Sequence, residues 1–194
     1  QPLCGVTENI LGVSVRADSP YRTVRELVAA AKEKPLSYGS PGPNSAPFLA
    51  MDQLERDQKL KLTHVPYKGD AGSLQELLAG RLDFVSSIAA SAAPQVRAGK
   101  LRLLAVTSER RHPAFPEVPT FKELGMAVQE DSFAGLFTPR GVPEPVLAKL
   151  DAACAAAAKS QLVQQVAQRG DQVVFYQGRK QWEQRIRDEY RKQG

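Results

Sequence analysis

Three times between residues 36 and 97 a short apolar run gives way, through a tight turn, to a helical pattern. LSYGS (36–40) leads through Pro41-Gly42-Pro43-Asn44 into a helix opened by Ser45 and carried by Phe48, Leu49 and Leu54 to about Asp57. KLTHVPY leads through Lys68-Gly69-Asp70 into AGSLQELLAG, and LDFVSSI leads into SAAPQVRAG. Strands that alternate with short helices bury both faces of a sheet and need crossover connections. The expected class is therefore α/β with a largely parallel sheet.

The flanks extend the same pattern. NILGVSV (9–15) alternates and is rich in β-branched residues, so it is predicted as one strand. Thr23 followed by Glu26 is a capping box for a helix with Val24, Leu27, Val28 and Ala31 on one face. LRLLAVTS reads as a buried strand, and the Pro-rich ERRHPAFPEVPT has no periodicity. Beyond the strand-like stretch 128–138 the chain is mostly helical. It has a long Ala-rich helix from Val146 to about Lys159, a short one from Ser160 to Arg169, a strand QVVFY, and a last helix with Trp182, Ile186 and Tyr190 in register.

The turn YGSPGPNSAP carries more glycine, proline and serine than a connector requires. A helix that starts at Ser45 leaves unpaired backbone N–H groups at its N-terminus, and these favour an anion. Ser40 and Ser45 add hydroxyls, and Gly42 allows close approach to the backbone. In an open α/β sheet ligands lie beyond the carboxyl ends of the strands, where this turn belongs. The alternative is that Ser45 only caps the helix and the remaining residues only shape the turn. Tyr67, Lys68 and Gly69 form a second such turn, with Lys68 as a candidate anion partner or a plain surface residue. Ser86, Ser87 and Ser91 end the third strand, where small hydroxyls suit either a ligand or tight packing.

Catalysis is not expected. No base is expected beside Ser40 or Ser45, since His64 lies inside a strand and His112 in the Pro-rich excursion, and there is no nucleophile elbow, P-loop or GxGxxG. No cofactor fingerprint or metal-ligand spacing is present, and Cys4 and Cys154 lack Cys or His neighbours. Cys154 reads as a helix core residue; a bridge to Cys4 is the alternative. The net charge is +5, and several of the basic residues lie in the C-terminal helix interleaved with acids, so no nucleic-acid groove is expected. No apolar run approaches the ~20 residues of a membrane span, and QPLCGVTENILGVSV does not read as a signal peptide.

Three segments in this order, LSYGSPGPNSAPFLAMDQL, LTHVPYKGDAGSLQELLAGRLDFVSS and VRAGKLRLLAVTSERRHPAFPEVPTFKELG, resemble the solute receptors of tripartite tricarboxylate transporters, the Bug family. FAGLFTPRGVPEPVLAKL and the ending that runs from Gly170-Asp171 through a strand to a helix extend the resemblance to the C-terminus. It implies a type II periplasmic-binding-protein-like fold, a Venus flytrap, with residues 16–128 as the complete second ligand-binding lobe. Residues 1–15 and 129–194 would be a partial first lobe, a C-terminal remnant whose N-terminal portion is absent from this chain. It also implies a periplasmic location, transport rather than catalysis, a small carboxylate ligand, and membrane transporter subunits as partners. The ligand would be held by Ser40, Gly42, Asn44, Ser45 and Ala46, with Tyr67, Lys68, Gly69 and Ser87 lining the same wall. Ala46 and Phe48 replace polar residues common in the family, and Ser87 replaces an Asp that serves amino groups. The loss of that Asp tilts the expectation towards plain carboxylates. Apolar faces such as Trp182/Ile186/Tyr190 would be left uncovered and would drive self-association. A shortened relative acting as an interaction module is the alternative.

Overall fold

The structure is a computed structural model describing residues 1–130, 132–169 and 172–192. Gly170 and Asp171, part of the family-like ending, lie outside the described residues. In chain order the elements are β1 (Pro2–Asn9), β2 (Leu11–Arg16), α1 (Val24–Glu33), β3 (Leu36–Ser40), α2 (Ala46–Gln58), β4 (Leu62–Pro66), α3 (Asp70–Leu78), β5 (Phe84–Ile88), α4 (Ala89–Arg97), β6 (Leu101–Val106), β7 (Ser132–Phe137), α5 (Glu144–Lys159), α6 (Gln161–Arg169), β8 (Val173–Gln177) and α7 (Arg179–Lys192). They form two compact units, one of residues 10–132 and one of residues 1–9 with 133–194.

The 10–132 unit is a five-stranded sheet in the order β4-β3-β5-β2-β6. β3 pairs parallel with β4 and with β5, whereas β2 runs antiparallel to both β5 and β6. The expected parallel sheet is therefore mixed. Strand–helix alternation sets how many crossovers the chain makes, but not which strand enters reversed. One face is covered by α1 and α2, where Leu27, Val28, Met51 and Leu54 join Val13, Tyr38, Phe84 and Phe121 in one buried cluster. The other face is covered by α3 and α4, with Leu74, Leu77, Val85 and Ala92 packed together. Each large aliphatic side chain so buried contributes about 2 kcal/mol. The Thr23 cap forms as expected, its hydroxyl accepting from the Glu26 N–H at 3.2 Å. Glu26 returns its carboxylate to the Arg22 N–H at 2.6 Å.

The 1–9/133–194 unit holds a three-stranded sheet, β7-β1-β8, with α5, α6 and α7. The single strand expected over 9–15 is in fact two, broken at Ile10 where the chain leaves one unit for the other. PLCGVTEN has little alternation because both its faces are covered, Cys4 by α5 and Gly5 by Trp182 of α7, so it carries no surface stripe to read. The expected exposed face of α7 also needs correction. Trp182 is 1% exposed. A side chain at Gly5 would lie 2.6 Å from the indole, and one at Gly135 would collide with it, so these two glycines let the ring rest on bare backbone. Phe133 packs edge-on against it at 5.2 Å. Ile186 is half-buried, and of the three only Tyr190, 83% exposed, stands clear of the unit. Cys4 and Cys154 form a disulfide that ties β1 to α5, which corrects the reading of Cys154 as a mere core residue.

Candidate functional site

β3 ends at Ser40, and the chain reverses through Gly42 at φ 137° and Asn44 at φ 63°. Ser45 caps α2. Its hydroxyl accepts from the Phe48 N–H at 3.4 Å and donates to the Gly42 carbonyl at 2.7 Å. Ser40 is fully buried; its Oγ accepts from the Gly42 N–H at 3.3 Å and lies 2.7 Å from His64 Nε2. Both serine hydroxyls and the Gly42 N–H are thus engaged in shaping the turn. Pro47, near the start of α2, has no N–H to offer. The donors left over are the backbone N–H groups of Asn44 and Ala46, which meet no acceptor among the described residues.

The turn after β4 is laced to this one. The Tyr67 N–H donates to the Ser40 carbonyl at 3.0 Å and the Gly69 N–H to the Pro41 carbonyl at 3.5 Å. Gly69 has φ 94°, and a Cβ there would touch nothing, so the backbone angle alone calls for glycine. Among the described residues no side chain caps the N-terminus of α3. Lys68 is exposed and forms no ion pair with a described residue. The Tyr67 ring packs beside Gly39 and Gly72, and burial pushes its hydroxyl's pKa up. The nine residues singled out in the sequence all lie at the carboxyl ends of the adjacent strands β4, β3 and β5. Ser87 stands apart in one respect. It shares a face with Val85, on the α3–α4 side, and its hydroxyl is buried without a described partner. Its neighbour Ser86 donates to the Pro47 carbonyl at 2.8 Å.

Two further residues shape this edge, and sequence reasoning passed over both. Parallel pairing places His64 opposite Tyr38 and so diagonal to Ser40. Its ring lies against those of Tyr38 and Phe48, at 4.9 and 4.8 Å, and burial lowers its pKa. A base does therefore stand beside Ser40, contrary to expectation. With Ser40 Oγ sealed from solvent, the contact fixes the turn rather than arming a nucleophile. The second residue is Asp70. Its Oδ2 accepts from the Ile88 N–H at 3.2 Å and from the Ser91 hydroxyl at 2.7 Å, so it caps α4 from the start of α3. Burial raises its carboxyl above the usual range. An acid in the first turn of a helix that follows a glycine was the available signal.

The profile of the tripartite tricarboxylate transporter family receptor, TctC, matches residues 1–194. The chain belongs to this receptor family. The "UPF0065 protein in gbd 5'region" of Cupriavidus necator is 43% identical over 141 residues, covering 72% of this chain and 43% of that relative. A TctC solute binding protein from Polaromonas, solved with no ligand, superposes with a TM-score of 0.80 at 31% identity over 92% of this chain and 62% of its own. An R. palustris protein solved with adipate gives 0.87 at 25% identity, over 97% of this chain and 64% of its own. MatC from Rhodopseudomonas palustris, with bound malate, gives 0.78 at 30% identity, over 89% and 60%. This receptor-family chain spans about half the length of curated relatives it matches, 43%, 42% and 48% of three of them.

Proposed function

We propose that this chain carries a ligand-binding lobe of a periplasmic receptor for small organic carboxylates, which it presents to the membrane subunits of a tripartite transporter. In this reading residues 16–128, within the 10–132 unit, are the binding lobe, and the 1–9/133–194 unit is a portion of the first lobe. The observation that carries the proposal is the pair of laced turns before α2 and α3. They present the free N–H groups of Asn44 and Ala46 beside an uncapped helix N-terminus and the unpaired Lys68. Helix dipole, backbone donors and a lysine all favour a carboxylate. The adipate and malate in two solved relatives support the ligand class. The Cys4–Cys154 bridge supports an oxidising compartment such as the periplasm. No bond is made or broken.

The test is an amide-resolved NMR titration of the chain with acetate, succinate, adipate and citrate. Saturable shifts at the Asn44 and Ala46 amides are expected. Ala46→Pro deletes one donor at a helical position that tolerates proline, and it should weaken binding about tenfold. Lys68→Met should weaken it as well. Absence of shifts at this edge, or indifference to both variants, would overturn the proposal.

A second reading, an interaction module that self-associates, is favoured by a different observation. Among the described residues the large apolar side chains that stand exposed, Leu136, Phe137, Val146, Leu150, Leu162, Val166 and Tyr190, all belong to the 1–9/133–194 unit.

A further inference from the structure

A cavity of ≈ 760 Å³ opens in the 10–132 unit between the start of β6, the residues after β2, the end of α4 and residues 117–124. It lies at the edge of the sheet opposite the laced turns. Register shows this: β2 pairs Leu11 with Ile88 at the turn edge, and Arg16 with Leu101 at the cavity edge. Three arginines, Arg22, Arg25 and Arg102, stand on its wall. Their surroundings differ from those of four other arginines in this unit. Arg16, Arg56, Arg81 and Arg111 each meet a carboxylate. None of the three cavity arginines forms an ion pair among the described residues.

Two of the three are nevertheless held in place. Arg25 donates to the Leu124 carbonyl at 2.8 Å. Arg102 donates to the carbonyls of Ala17 at 2.8 Å and Tyr21 at 3.2 Å. A carbonyl orients a guanidinium but leaves its charge uncancelled, and each fork keeps further N–H groups. Glu117 is the one carboxylate on the wall, so the wall is net positive. A planar guanidinium fork matches a carboxylate or phosphate head. The apolar lining wraps the edge strand β6, with Leu124 on the α1 side beside Arg102 and Val96 and Leu103 on the α4 side, and Val118 and Pro119 complete it. The volume falls within the roughly 300–1,000 Å³ typical of small-molecule sites. An inorganic ion would leave that lining wetted, whereas an organic anion would cover it.

We infer that this cavity is a second binding site, for an amphiphilic organic anion with its oxyanion head among the three arginines and its apolar body over Val96, Leu103 and Val118. It is independent of the carboxylate edge between α2 and α3.

Octanoate, octyl phosphate and inorganic phosphate serve as probes in amide-resolved titrations of the chain, with and without saturating succinate. Octanoate or octyl phosphate should give saturable shifts at Val96, Leu103 and Val118 that succinate does not displace. The tighter of the two names the head group. Arg22→Gln removes a guanidinium that bonds to no described residue, and Arg22→Gln with Arg25→Gln should weaken binding about tenfold or more, with the melting temperature checked alongside. The inference is overturned if neither probe shifts these residues, or if the variants bind as tightly as the parent. It is equally overturned if inorganic phosphate binds as well as octyl phosphate, or if succinate displaces the probe. That last result assigns the anion to the carboxylate edge, whose own test is read at Asn44 and Ala46.

Discussion

The imidazole of His64 controls the turn at which a carboxylate is proposed to bind. At neutral pH the ring is uncharged, because burial lowers its pKa below the ordinary 6.5. Ser40 Oγ lies 2.7 Å from Nε2, accepts from the Gly42 N–H and stands 3.2 Å from the Gly42 carbonyl, so the ring tautomer sets whether its single proton goes to Nε2 or to that carbonyl. A lowered histidine pKa means that the unfolded chain binds the proton more readily than the folded one. Stability is then full above pH 6.5 and declines as pH falls from 6.5 through the lower folded value. Urea unfolding of the parent and of His64→Gln between pH 5 and 7.5 checks this. The parent should lose more stability on acidification than the variant, and parallel curves would show that the ring's burial carries no such cost. Much at this scale was legible in the sequence, because Gly42, Asn44, Ser45 and Gly69 act within a few residues of themselves. His64 was not legible. Its partner is 24 positions away, on a neighbouring strand whose register only the folded sheet supplies.

Among the elements, those with a periodic stripe were the readable ones. α1 and α2 show apolar positions at helical spacing and each carries its own cap, so both appear where the pattern places them. β1 lacks a stripe and was missed, and the reversal of β2 has no local cause to read. α4 belongs with these harder cases. Its N-cap is Ile88, which has no side-chain acceptor, and the missing cap comes from Asp70 at the start of α3. The arrangement has two opposed consequences. The carboxylate satisfies the Ile88 N–H and the Ser91 hydroxyl, yet burial raises its pKa and leaves Oδ1 without a described partner. A raised carboxyl pKa makes the folded chain the better proton binder. Its contribution is full below the ordinary 3.8 and is lost as pH rises through the folded value. Asp70→Asn keeps an acceptor and removes the charge, so its stability relative to the parent should improve from pH 3.5 to pH 7. Asp70→Ala loses the cap and should cost about 1 kcal/mol at neutral pH. Chemical denaturation of both variants checks the pair, and a stabilising Asp70→Ala would show that α4 has no need of the cap.

On the scale of the whole chain, exposed apolar surface is distributed unevenly. In the 10–132 unit both sheet faces are covered, and its strands and helices follow one another as a continuous run of chain. That unit was the more legible for the same reason. The other unit joins the chain's first residues to its last third, closed by a disulfide across 150 positions, whose formation sequence spacing could not decide. Its helices α5 and α6 each expose an apolar pair one turn apart, Val146 with Leu150 and Leu162 with Val166. Leu162 and Val166 are 71% and 59% exposed. Aliphatic groups aligned on one helix face gain about 25 cal/mol per Å² when a partner removes them from water. Two copies that present the same face can satisfy each other through a two-fold interface. Sedimentation of the 21.2 kDa chain at micromolar concentration should therefore show a species of about twice that mass. Leu162→Glu with Val166→Glu should restore the monomer without lowering the melting temperature, because neither side chain is packed within its own unit. A monomer at every concentration, or a dimer that survives the double substitution, would show that this face does not join copies of the chain.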